Sequence, residues 1–160
     1  MASALVVLTF AAAIGCGLNA GFFFAFSTTV MPALRRRPAA EGIAAMQTIN
    51  VVVINPLFMT VLFGTALASL AAIVGALVDW DGSYGPYLLA GGALYLVGVI
   101  GVTMAANVPR NNALARLDAE SAEAAGQWAR YLAEWTAWNH VRTVAPLVAL
   151  GLFVAAIHVN

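Results

Sequence analysis

The chain has no lysine, one cysteine and two histidines in 160 residues, and only 9% of its residues are charged. Each shortage excludes something. A water-soluble domain carries roughly 25% charged residues, so a chain that is 62% hydrophobic has too little charge to cover a surface facing water. Seven arginines balance seven acids, which leaves no basic excess for a phosphate backbone and excludes a nucleic-acid partner. The lone Cys16 permits neither an intrachain disulfide nor a Cys-x-x-Cys pair, which removes thiol-redox chemistry. His140 and His158 lie about 27 Å apart along a helix rising 1.5 Å per residue, too far to share one centre. Metal and haem sites need several His, Cys or carboxylate ligands, so no metal and no cofactor is expected. No apolar run carries an acid in its interior, which also argues against proton-driven transport. There is no phosphate-binding glycine loop and no dinucleotide fingerprint.

What the chain does have is apolar length. A membrane span needs about 20 apolar residues, and four stretches qualify: 4–33, 47–78, 86–106 and 136–158. The expected fold is all-α, a four-transmembrane-helix bundle in the lipid bilayer, read as a single domain over 1–160. The first stretch lacks a basic leader and is too long for a signal peptide, so it reads as an uncleaved span. Arg35, Arg36 and Arg37 lie in the first connection, and Arg110, Arg116 and Arg130 in the third. The second, "DWDGSYG", has two acids and no base. The positive-inside rule makes connections one and three cytoplasmic and puts both termini outside. The third connection, with an N-cap candidate in Asp118 and strong helix formers after it, is expected to be a cytoplasmic helical extension preceding the fourth span.

Small residues recur every four positions in the first two spans, at Ala13, Gly17, Gly21 and Ala25 and at Gly64, Ala68 and Ala72, and Gly91, Gly98, Gly101 and Ala105 mark the third. Such stripes let helix backbones approach where lipid supplies no hydrophobic drive. They are read as packing surfaces within the chain, with a homo-oligomer as the alternative.

The polar residues fall on one side of that topology. Gln47, Asn50, Asn55, Asn107, Asn111, Asn112, Asn139, His140 and Arg142 all belong to the half of the membrane nearest the arginine-bearing connections. The opposite half offers only His158. Some have a structural alternative: Asn55 satisfies a kink at Pro56, whose missing donor frees the Val52 carbonyl, and Asn107 caps the third helix. Asn19, near mid-membrane, either lines the site or makes a buried hydrogen bond between helices. On the last helix Trp128, Tyr131, Trp135, Trp138 and Arg142 share a face at spacings of three and four. The alternative there is an interfacial aromatic belt with the arginine reaching outward. His140 sits on a second face with Thr136 and Thr143. Phe22, Phe23, Phe24 and Phe26 offer an aromatic wall.

Taken together, "NAGFFFAFSTTVMPAL", "AMQTIN" with "NP", "NVPRNN" and "WTAWNHVRT" resemble the anthrone oxygenase-like family of small four-helix membrane proteins. The motifs fall in all four spans, so the resemblance covers nearly the whole chain. Arg110 departs from it, standing where an apolar residue is expected. The resemblance implies a four-helix bundle and oxygenation of anthrones to anthraquinones without an evident cofactor.

The expected function is thus a membrane-embedded, cofactor-independent oxygenase for anthrone-like polycyclic aromatics or phenols, its partners being that apolar molecule and O₂. His140 is the expected general base and Arg142 the oxyanion stabiliser. Asn19, Gln47, Asn50, Asn55, Asn107, Asn111, Trp135, Trp138 and Asn139 are the expected substrate contacts. The alternative is a non-enzymatic protein that binds a quinone, a lipid or a partner helix in the same pocket.

Overall fold

A computed structural model describes residues 1–78, 80 and 82–160; Asp79 and Asp81, the two acids of the second connection, lie outside the described residues. The chain is helical, and no strand occurs among the described residues. In order it forms α1 (Ser3–Ala25), α2 (Met31–Arg35), α3 (Ala39–Val52), α4 (Pro56–Val78), α5 (Gly85–Tyr95), α6 (Val108–Ala115) and α7 (Ala124–His158). Wider π-helical turns at Phe26–Val30, Leu96–Gly101 and Thr103–Asn107 join α1 to α2 and α5 to α6 without a break in direction. Four helical runs are long and apolar enough to cross a membrane: Ser3–Arg35, Pro56–Val78, Gly85–Ala115 and Ala124–His158.

These four form a ring: α1 packs on α4 and α7, and α5 packs on α4 and α7, leaving α1 and α5 diagonal. The Met1 amine hydrogen-bonds the Asn160 side chain, so both chain ends lie at one end of the bundle, called here the terminal end. The arginine-bearing connections lie at the other, the arginine end.

Two apolar clusters hold the ring. The terminal half is built from small residues and a few large ones, with Ala12, Ala72, Leu88, Ala149, Phe153 and Ala156 fully buried. Several glycines are there because nothing larger fits. A Cβ on Gly92 would meet Ile73 at 2.5 Å and the Ser69 carbonyl at 2.9 Å, and one on Gly15 would meet the Thr65 hydroxyl at 1.9 Å. The expected four-residue stripe of the first span packs at its start, where Ala13 is buried and a Cβ on Gly17 would meet Leu150 at 3.0 Å, and leaves the contact after that. Gly21 and Gly64 meet nothing within 4 Å, and the close face of α1 runs through Ala12, Gly15, Cys16 and Asn19. The cause is the helix period: at 3.6 residues per turn a strict spacing of four drifts around the axis.

At the arginine end, Met31, Ile43, Met46, Leu114, Trp128 and Trp135 form the second cluster. Gln47 closes it, its Nε2 donating to the carbonyls of Leu114 at 2.9 Å and Leu117 at 3.0 Å.

Two boundaries differ from the sequence reading. The stretch 47–78 is not one kinked span, since α3 ends at Val52 and α4 begins at Pro56. Proline at the first helical position gives up a donor that no helix uses there, so it starts a helix more readily than it bends one. Asn55 caps the new start, accepting from Phe58 N at 3.0 Å and donating to Val52 O at 3.0 Å. Asp118 caps no helix; its Oδ1 accepts from Glu120 N and its carbonyl from Ser121, making a turn, and the helix begins at Ala124. From there α7 runs unbroken for 35 residues, about 52 Å at 1.5 Å per residue. A hydrocarbon core is about 30 Å thick, so the arginine end of α7 extends well beyond it.

Candidate binding and active site

All four spans are irregular at one level near the arginine end. The first widens into its π-turn at Phe26–Val30, the second is interrupted at 53–55, and the third widens at Thr103–Asn107. In the fourth, Pro146 removes the donor that would bond the Arg142 carbonyl. Between them lies a cavity of about 230 Å³. Pockets for drug-sized ligands run from about 300 Å³ upward, so this one suits a compact molecule. Its wall is apolar and aromatic, with Phe22, Phe23, Phe26, Phe58 and Trp135 prominent. The rings touch one another: Phe22 and Phe58 stand 4.5 Å apart and Phe26 and Trp135 5.9 Å apart, all four tilted.

Into this wall is set one cation. Arg142 is 6% exposed, and its guanidinium carbon lies 4.5 Å from the centroid of Phe23 and 5.0 Å from that of Trp135. Arginine stacks on aromatic faces because it is planar and weakly hydrated. No carboxylate pairs with it; the ion pairs among the described residues are Arg37 with Glu41 and Arg110 with Glu134. What holds Arg142 is Asn139, fully buried, whose Oδ1 accepts from Nη2 at 2.8 Å. The same amide donates to Phe23 O and to Ser27 Oγ, each at 2.7 Å, gripping the first span where it widens. Thr103 Oγ1 accepts a longer bond from Nη1 at 3.4 Å. Arg142 Nε is buried and has no hydrogen-bond partner. A buried donor left unbonded costs about 1–3 kcal/mol, more when charged, so the pocket favours a ligand that offers an acceptor.

Two amides add to the donor side. Asn111 Oδ1 accepts from Tyr131 Oη at 2.9 Å and Trp135 Nε1 at 2.8 Å, which commits its oxygen and leaves its NH₂ edge for the cavity it lines. Asn50 Nδ2 is buried without a hydrogen bond of normal geometry, although the residue lies near the Tyr131 hydroxyl. The Trp128, Tyr131 and Trp135 rings stack along α7 at 5.6 and 6.2 Å and are buried within the arginine-end cluster. They do not form an interfacial belt.

Of the residues expected at the site, the structure brings Arg142, Asn50, Asn111 and Trp135 to the cavity. The others go elsewhere. His140 is exposed on the outer face of α7 beside Leu94, Val141 and Val144. Two positions along a helix turn the side chain by about 200°, so with Arg142 facing inward His140 faces out, and the general base expected there is not at the cavity. Trp138 is 41% exposed for the related reason that it trails the buried stripe, and Phe24 is 57% exposed rather than part of the wall. Asn139 holds the arginine instead of lining the cavity. Asn19 donates to Gly15 O at 2.9 Å on its own helix and to Thr65 Oγ1 of α4 at 3.5 Å, the second being the hydrogen bond between helices given as its alternative. Gln47 and Asn55 serve the backbone as described. Asn107, fully buried, donates to Trp135 O at 3.2 Å instead of capping a helix.

Sequence reasoning missed Phe58 and Thr103. Phe58 carries no periodic mark beyond those of its apolar neighbours. Thr103 reads as an ordinary small polar residue until the π-turn puts it against Arg142. Among the described residues no three of His, Cys, Asp and Glu gather where they could hold a metal ion.

The sequence model of one protein family, described as anthrone oxygenase, matches residues 55–152 of the chain, more than half of it, from the start of α4 to within the last two turns of α7. No curated protein and no solved structure matches it significantly.

Proposed function

The chain belongs to the anthrone oxygenase family, and from that premise we propose that the cavity binds a compact fused-ring phenol or carbon acid as its anion and exposes that anion to O₂. One observation carries the reading: a buried guanidinium, stacked between two rings, has no carboxylate partner. Taking a charge out of water costs several kcal/mol unless it is paired. An anionic ligand supplies the missing partner, and a flat aromatic one fills the space between Phe22, Phe26 and Phe58.

The chemistry asked of the protein is then modest. An anthrone has a doubly benzylic CH₂ whose conjugate base is an aromatic oxyanion. The proton leaves by way of the Tyr131 hydroxyl, which is hydrogen-bonded to Asn111 of the cavity and belongs to a residue lining the open arginine-end cleft, to water there. Arg142, with the Asn50 and Asn111 amides, stabilises the oxyanion. The electron-rich anion passes one electron to O₂, and the resulting radicals combine at carbon to give a peroxide anion. That anion takes up a proton, and the hydroperoxide loses water to leave the carbonyl. One oxygen atom ends in the quinone and the other in water, with the CH₂ hydrogens accounted for. No residue on the cavity wall needs to be a base, and none of those lining it is an acid or a histidine.

That same lack favours a second reading, a protein that holds a quinone or phenol without turning it over. Oxygen uptake separates the two. The protein in nanodiscs, supplied with an anthrone, is expected to consume one O₂ per quinone formed, and Arg142→Gln to abolish it. Red-shifted binding of a hydroxyanthraquinone without oxygen uptake would favour the binding protein, and uptake untouched by Arg142→Gln would remove the cavity from the chemistry. By the positive-inside rule the arginine end faces the cytoplasm. A cysteine at exposed Ser83, at the terminal end, is then labelled from the outside only; labelling from the cytoplasmic side alone would invert the protein.

A further inference from the structure

The cavity is closed toward the arginine end. Above it lie the stacked Trp128, Tyr131 and Trp135 rings, the Asn111 oxygen that ties two of them together, and the buried Met31, Ile43 and Leu114. Gln47 seals the far side of that cap by bridging α3 to the end of α6. Sideways the picture differs. Among the lining residues the well-exposed ones are Ile54, Phe63 and Met104, at 71%, 51% and 63%. All three belong to the second and third spans. Between those spans α4 packs on α5 and on the turn that follows it, but neither α3 nor α4 packs closely on Thr103–Asn107. The gap coincides with the interruption at 53–55, where the second span has no helix to fill it.

The geometry points to a lateral mouth between the broken second span and the widened third, through which a neutral aromatic molecule passes from the lipid to Arg142, with Ile54, Phe63 and Met104 setting the width it accepts. The rim carries no charged or polar side chain among these three, which suits a bilayer and not water. An uncharged phenol or carbon acid dissolves in the acyl region, whereas its anion does not. Ionisation therefore belongs inside, after passage, where the guanidinium waits. This inference rests on the reading of the cavity as an aromatic-anion site.

The test separates passage from binding. Ile54→Cys and Met104→Cys are prepared in nanodiscs, and each is compared with itself before and after attachment of a bulky maleimide, so folding is not in question. The native Cys16 is fully buried and contributes no background. Binding of a monohydroxyanthraquinone is followed by its visible absorption in stopped flow. A blocked route slows association and dissociation together, leaving their ratio nearly unchanged, whereas a damaged site changes the ratio. The label at either rim position is expected to slow both rates by at least about tenfold, with affinity altered by less than about twofold. The same label at Leu147→Cys, exposed on the outer face of α7 away from the cavity, is expected to change neither. Unchanged rates with rim labels overturn the mouth while leaving the site intact. Slowing by a label at exposed Gln127→Cys, beside the arginine-end cleft, without slowing at the rim, would mean access from water. If the unlabelled wild-type protein binds no hydroxyanthraquinone at all, the anion site fails and the mouth with it.

Discussion

The two halves of the bundle are built on opposite principles. In the terminal half the helices are regular but for the π-turn at Leu96–Gly101, the contacts are between alanines, glycines and a few large side chains, and the backbones approach until a single added Cβ has no room. Polar groups there serve packing: Tyr95, fully buried, donates to Leu62 O at 2.9 Å and ties the third span to the second. In the arginine half three spans are interrupted or widened and the fourth lacks a backbone bond at Pro146, the side chains are aromatic, and a cavity remains with a charge in it. Widened turns are commonly found at functional sites because they release a carbonyl and shift the register, and Asn139 takes up the Phe23 carbonyl where the first span widens. The contrast teaches that the regular half keeps the ring together so that the irregular half can hold an unpaired cation.

That division is open to attack from either side. The largest effect is expected from Arg142→Gln. Removing transition-state charge stabilisation of this kind costs about 10²–10³ in rate, so oxygen uptake should all but vanish. The melting temperature in detergent should hold or rise, because a buried unpaired charge is a burden on the fold. A fall in both would mean that Arg142 is chiefly structural. Asn139→Ala comes next. It leaves Arg142 Nη2 and Ser27 without a partner, costing about 1–3 kcal/mol, and frees the guanidinium to move; uptake should fall about tenfold, and Asn139→Asp, which gives Arg142 a carboxylate partner, should lose at least as much. Uptake near wild type in the Asp variant would show that the site does not depend on an unpaired cation.

Gly92→Ala strikes the other half. Overpacking of this kind costs about 1–3 kcal/mol, so melting should drop while uptake measured well below it stays near wild type. Lost activity in a folded Gly92→Ala protein would break the separation of the halves. The smallest effect belongs to His140→Ala, which should leave uptake within about twofold, since a general base would contribute about 10²–10⁴ and this imidazole faces away. A collapse with this variant still folded would return His140 to the chemistry and demand that α7 turn.

Much of the fold could be read from the chain, and the reasons are physical. Four apolar runs, arginines at two of three connections and a long helix-forming tract before the fourth span are one-dimensional features, and the structure has the four helices and the extension as one rod. The layer of amides was legible as well, because it depends only on which end of each span is polar. Which side chains face the cavity was not. Arg142 and His140 are two residues apart, and spacing put them on different faces while leaving both able to flank one cavity; how α7 is turned in the bundle decides that only Arg142 reaches it. The π-turns and the break before Pro56 decide where Thr103, Phe58 and Asn139 point, and a turn of five residues where four would serve leaves no mark in composition. Nor could the sequence tell a stripe that packs from one that drifts outward, as Gly21 does.

An unpaired guanidinium also has a proton stoichiometry. A ligand that arrives neutral and is held as an anion must leave one proton behind in the surrounding water, so occupancy and acidity are linked. Below the ligand's own pKa, each unit of falling pH should weaken its apparent affinity about tenfold, while a ligand with no ionisable hydrogen should bind weakly and without regard to pH. Had a carboxylate faced Arg142, the pocket would have been neutral when empty and that dependence would be absent. The lack of one acid in this cavity thus makes the acidity of the medium a control on how full the cavity is.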